Sequence, residues 1–138
     1  MKVVSEHFVP VKIHVKEQPA VFERFKAQWT PTQLILDGHG IEHHRIEGFL
    51  PKEDFIAELE LGLGKLAFEE KRYEDAATMF RVVCDEHAGA GAAPEACYWA
   101  GVSNYKGGNH ESLKETARLL KERYGDSAWA RKASVWTT

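Results

Sequence analysis

Residues 51–70, PKEDFIAELELGLGKLAFEE, divide the chain into two unlike halves and limit its possible folds more than any other stretch. Pro51 suits a first helical position, where an N–H would have no helical partner anyway. Glu53 and Asp54 follow and put negative charge at the positive end of a helix. Phe55, Leu59, Leu63 and Leu66 then recur at steps of four, four and three, which lines them up as one stripe. Upstream the apolar residues mostly alternate, as in strands. Downstream they keep helical spacing to the end. The expected organisation is therefore two units, residues 1–58 and 59–138, with a helix over about 51–70 shared between them.

A chain of 138 residues is one ordinary domain or two small ones. Its 18 basic and 21 acidic residues give a net charge of −3, with no basic excess to hold a phosphate backbone, so nucleic acid is not an expected partner. No apolar run approaches membrane-spanning length, so no membrane partner is expected. MKVVSEHF is too short and too acidic for an export signal, and the cytoplasm is the expected compartment. The two cysteines, Cys84 and Cys97, are too few for a disulfide framework. They fall near the end of one helix and in the next, and spacing alone leaves open whether the two approach and pair. In a helical core of a cytoplasmic protein the expectation is two buried free thiols.

In the first half, residues 3–8 read as the last turn of a helix. VPVKIHV follows, with Val9, Val11, Ile13 and Val15 on one face, a strand by period two. Pro19 opens a short helix to about Ala27, broken by Trp29-Thr30-Pro31-Thr32. Leu34, Ile35 and Leu36 form a continuous apolar run, expected of a strand covered on both faces. Asp37-Gly38-His39-Gly40 reads as a hairpin turn, and residues 41–47 return as a polar edge strand. Gly48 lets the chain swing into the helix from Pro51.

This order resembles the C-terminal part of a thioredoxin-like domain over about residues 3–61. The residues that carry the resemblance are Thr30-Pro31 at the place of that family's cis-proline loop, the LILDGHG hairpin, Gly48 and the closing helix. The resemblance implies a cis Thr30–Pro31 bond and a peptide-binding loop at Trp29, Thr30 and Pro31. The family's catalytic Cys-x-x-Cys, and the central strand that delivers it, belong upstream of Met1. Without that strand, two rows of backbone groups face an unfilled sheet position, at about 1–3 kcal/mol for each unpaired group. Three outcomes are expected to relieve this: the two strands close up, a second chain supplies the strand, or the natural protein is longer.

The second half reads as helices. Gly64, Ala76 and Phe80 have counterparts 37 residues on at Gly101, Leu113 and Ala117. Small residues suit close helix approach, with larger ones filling the space beside them. The unit resembles a tetratricopeptide repeat, whose usual period is about 34 residues. Leu63-Gly64, Tyr73, Ala76 and Phe80 fit that pattern well; Gly101, Leu113 and Ala117 fit it loosely. A glycine- and alanine-rich loop at residues 88–93, expected to be flexible, absorbs the excess, and Ser127 is placed to cap a final helix. The expected fold class is α/β plus α: a partial thioredoxin-like β-α-β-β-α unit followed by an all-α stack of tetratricopeptide-like hairpins.

For the remaining candidates the sequence points to structure. His39, His43 and His44 cluster at the hairpin, but His43 and His44 as neighbours on a regular strand point to opposite faces, so solvated histidines are expected and no metal site. Tyr98, Trp99, Tyr105, Trp129 and Trp136 read mostly as core, some lining a groove. No catalytic residue and no cofactor are expected. The functional expectation is a non-catalytic module binding a protein or peptide, with self-association through the unfilled sheet position. The alternative is a fragment of a thiol–disulfide oxidoreductase whose Cys-x-x-Cys lies upstream.

Overall fold

The computed structural model describes residues 2–138; Met1, on which the question of the natural start turns, lies outside them. The chain divides into two compact units, Met1–Leu50 and Pro51–Thr138.

The first unit begins with helix α1 (Lys2–His7), as the short VVSEHF pattern suggested. The strand expected over Val9–Val15 does not form: residues 8–14 have no regular structure and Val15 enters a turn. Val9 is 90% exposed and Val11 76%. The alternating pattern is present, but a strand exists only by hydrogen-bonding to a neighbour, and no described residue supplies one. After the turn, where Gln18 N–H donates to His14 O at 2.8 Å, Pro19 opens α2 (Pro19–Arg24). This helix stops before the expected Ala27 because Phe25 caps it and Lys26 takes a left-handed φ of 53°.

Strands β1 (Thr32–Leu36) and β2 (Glu42–Glu47) form an antiparallel two-stranded sheet around the predicted hairpin turn. Of the run Leu34–Leu36, only Ile35 is fully buried, with Ile46 on the same sheet face, and Leu36 is exposed. The strand is thus covered on one face, not on both as its apolar run suggested. Arg45 ties the hairpin to α2. Its guanidinium grips Glu42, with Nη2 to Oε1 at 2.7 Å and Nε to Oε2 at 3.0 Å. The same group donates to the carbonyls of Phe25 and Lys26, which α2 leaves unsatisfied at its end.

The second unit is helical: α3 (Lys52–Glu69), α4 (Tyr73–Glu86), α5 (Ala93–Lys106), α6 (Ser112–Tyr124), α7 (Ala128–Ala133) and a 3₁₀ turn at Ser134–Thr137. Each helix packs on the next, and its core draws on all five helices, with Leu61, Phe80, Val83 and Leu120 as its largest members. On α3 the most deeply buried stripe is Ala57, Leu61, Gly64 and Ala67. The expected stripe of Phe55, Leu59, Leu63 and Leu66 lies beside it, with Leu59 buried and the others half-buried. Small residues win the central stripe because they let a second helix close in. Ser127 caps α7 as its sequence position suggested, accepting from Ala130 N–H at 3.0 Å. Among the described residues no helix is long and apolar enough to cross a membrane.

Candidate functional site

The loop before β1 is built from local chemistry. The Thr30–Pro31 peptide bond is cis. Thr32 Oγ1 donates to Trp29 O at 2.6 Å, which folds the loop back on itself. Gly48, at φ +83°, donates its N–H to Pro31 O at 2.8 Å, so the sheet's hydrogen bonding extends one step beyond Thr32. Trp29 is 67% exposed, and Phe49, next to Gly48, is 90% exposed. Two large apolar side chains therefore flank a cis-proline turn whose Thr30 backbone groups have no hydrogen-bond partner among the described residues. Such a surface can receive an extended chain through backbone hydrogen bonds and apolar contact.

At the other end of the hairpin the histidines are not simply solvated. Ile35 pairs with His44 but Leu36 pairs with Glu42, so His43 is an extra, bulged residue. Its ring turns back to Asp37, Nε2 to Oδ2 at 2.9 Å, and is mostly covered. Asp37 also accepts from His39 N–H at 2.8 Å and Ile41 N–H at 3.0 Å. The bond to His43 first, then those to the backbone, lower the Asp37 carboxyl to about 2. Opposite faces for His43 and His44 require unbroken strand alternation, which the bulge abolishes. Among the described residues no cluster of histidine, cysteine and acid side chains is arranged to hold a metal.

In the helical unit, Gly64 sits against the Phe80 ring, and Gly101 sits against Thr116. The side chain facing Gly101 is thus the neighbour of Ala117, the residue matched to Phe80 by the 37-residue offset; the loop between α5 and α6 is longer than that between α3 and α4. Ser112 Oγ donates to Gly101 O at 2.8 Å, fastening the start of α6 at this close approach. Ala76 and Ala117 are buried, while Leu63, Tyr73 and Leu113 are half-buried. The aromatic residues form one connected series along the edge of the core: Tyr73 on Phe68, Phe68 on Trp99, Trp99 on Tyr98, and Tyr98 on both Trp129 and Trp136, with centroids 4.8–5.4 Å apart. Tyr105 stands apart, paired with His110. Lys132 Nζ lies 4.0 Å from the centre of the Trp129 ring.

Cys84 and Cys97 are not free thiols. They form a disulfide joining α4 to α5, with Cα atoms 4.9 Å apart. Spacing in sequence cannot reveal this, because the pairing depends on how the two helices cross. The loop they enclose is also more ordered than its glycines and alanines suggested. Ala92 and Ala93 are buried, Gly91 N–H donates to Asp54 at 3.2 Å, and Tyr124 OH donates to Ala88 O at 2.7 Å.

Residues 1–63 match the family model described as a thioredoxin-like domain, just under half of the chain. The match continues into α3, whereas the first compact unit ends at Leu50. No curated protein and no solved structure matches the chain.

Proposed function

We propose that the chain is a non-catalytic protein-interaction module, in which the cis-proline loop of the thioredoxin-like unit receives an extended peptide. The observation that carries this reading is the exposed pair Trp29 and Phe49 beside the unpartnered Thr30 backbone. Affinity would come from main-chain hydrogen bonds at Thr30 and selectivity from the two apolar side chains. The helical unit is read as a tetratricopeptide-like stack, supported by the close approaches at Gly64 and Gly101 and by pairwise packing of successive helices. Its aromatic series offers a second surface for the same kind of partner. Selection of a displayed peptide library against the chain tests this. Peptides that bind the wild type and lose affinity with Trp29→Ala or Phe49→Ala support the reading. A library with no binders, or binding indifferent to both substitutions, sinks it.

Self-association belongs to the same proposal. Among the described residues the sheet has two strands, so β1 has one strand neighbour there, and Val9–Val15 is a stretch of strand-forming residues outside the sheet. Light scattering that finds monomer alone across a wide concentration range counts against it. As for the compartment, the disulfide favours an oxidising one over the cytoplasm expected from the sequence.

The second reading is a fragment of a thiol–disulfide oxidoreductase, favoured by the thioredoxin-like match. Such chemistry needs an accessible thiolate beside a resolving partner, and both cysteines here are buried and joined to one another. Insulin reduction with dithiothreitol separates the readings: catalysis by this chain would overturn the non-catalytic one.

A further inference from the structure

The segment between α4 and α5 is held to its surroundings by contacts that are each weak. His87 Nε2 lies 3.0 Å from Glu60 Oε2, and its Nδ1 4.0 Å from Glu53, an exposed side chain. Gly91 N–H reaches Asp54, and Ala88 O accepts from Tyr124 OH. The segment thus clasps α3 on one side and α6 on the other. Its apolar anchorage is confined to its C-terminal end, where Ala92 is buried in the core and Ala90 packs against it; a β-carbon on Gly89 or Gly91 would meet nothing within 4 Å. One largely covered His87–Glu60 contact, one contact to an exposed acid and two single hydrogen bonds are modest constraints on six residues. The covalent bond below them is the stronger constraint, because Cys84 and Cys97 are separated by only 13 positions and fix both ends of the segment.

We infer that the Cys84–Cys97 disulfide is a redox latch: oxidised, it keeps residues 87–92 clasped to α3 and α6, and its reduction by a dithiol releases that clasp while the helical unit stays folded. The core that holds Cys84 and Cys97 also holds its largest side chains, Leu61, Phe80, Val83 and Leu120, whose burial does not require the sulfur–sulfur bond, so the helices are expected to outlast its loss. With Cys84 and Cys97 at 1% and 3% exposure, an external thiolate reaches their sulfurs only after local opening. The attacking thiolate then forms a mixed disulfide with one sulfur and expels the other as a thiolate, which takes up a proton. The second thiol of the reductant, deprotonated, displaces the remaining cysteine. The products are two protein thiols and the oxidised reductant, a balanced two-electron exchange.

Thiol titration of the untreated protein in denaturant is expected to find no free thiol, and two per chain would overturn the proposal. Hydrogen exchange at the Ala90 and Gly91 amides, with and without dithiothreitol, then tests the latch. Reduction is expected to speed these amides by about tenfold or more while the interior of α3 and α6 keeps its protection. Unchanged exchange would overturn the latch, and so would loss of protection throughout the unit. The double variant Cys84→Ala/Cys97→Ala is expected to show the fast exchange from the outset and no response to dithiothreitol. A response in that variant would place the effect elsewhere.

Discussion

A β-carbon on Gly64 would lie 2.6 Å from Phe80 Cε1 and 2.7 Å from Cδ1. Phe80 is itself fully buried, so its ring has no free volume to move into. Alanine at position 64 would gain up to about 1 kcal/mol in helix propensity. Overpacking of this kind costs about 1–3 kcal/mol and outweighs it. Gly64→Ala is therefore expected to destabilise the helical unit in urea unfolding, with partial recovery when Phe80→Leu is added. A neutral Gly64→Ala would show that the two helices can separate freely. At Asp37 the expectation concerns pH. Its carboxyl is lowered from 3.8 to about 2 in the folded hairpin, so its stabilising effect is complete above about pH 4 and fades as pH falls toward 2. Protection of the His39 and Ile41 amides, measured relative to the intrinsic exchange rate at each pH, should fall through that window in the wild type but not in Asp37→Asn.

Among the elements, the α4–α5 pair carries the one covalent staple. Closing a loop of this size contributes about 3 kcal/mol through the unfolded state, so Cys84→Ala/Cys97→Ala should lower helical-unit stability by about that amount in guanidinium. Arg45 joins α2 to β2 through partly exposed groups, and Arg45→Ala should cost the first unit only about 1 kcal/mol or less. The elements that could be read from sequence are those whose determinants are local: the turn at Asp37, the Pro19 start of α2, the Ser127 cap, and the helices themselves. Those that could not be read depend on something distant. Val9–Val15 has the pattern of a strand and lacks a neighbour to pair with. The bulge at His43 shifts register by one residue, which hydropathy alternation does not record. The disulfide reflects a helix crossing, and so does the pairing of Gly101 with Thr116, one position before the residue the 37-residue offset points to. At the candidate site, the Thr30–Pro31 turn was legible through its context, whereas the exposure of Phe49 beside it came from the hairpin's geometry.

For the molecule as a whole, the two units differ in what sustains them. The core cluster that includes Leu61, Phe80 and Leu120 lies wholly within Pro51–Thr138. Expressed alone, that segment should keep its helical circular dichroism and unfold cooperatively. Met1–Leu50 has a two-stranded sheet and two short helices, too little to bury a core of its own, and should show no cooperative transition in isolation. An isolated first unit that melts sharply would contradict this division of stability.

The exposed valines near the start of the chain bear on a property that none of these unfolding experiments measures. Val9, Val11, Ile13 and Val15 contribute little to folding, yet they are the kind of alternating strip that seeds β-aggregates. Pro10 and Lys12, set between them, are the residue types that interrupt such stacking. The residues at this end of the chain thus bear on colloidal behaviour and not on melting temperature. Val9→Thr/Val11→Thr should leave thermal unfolding in place while raising the concentration at which the protein precipitates, and Pro10→Val should lower it.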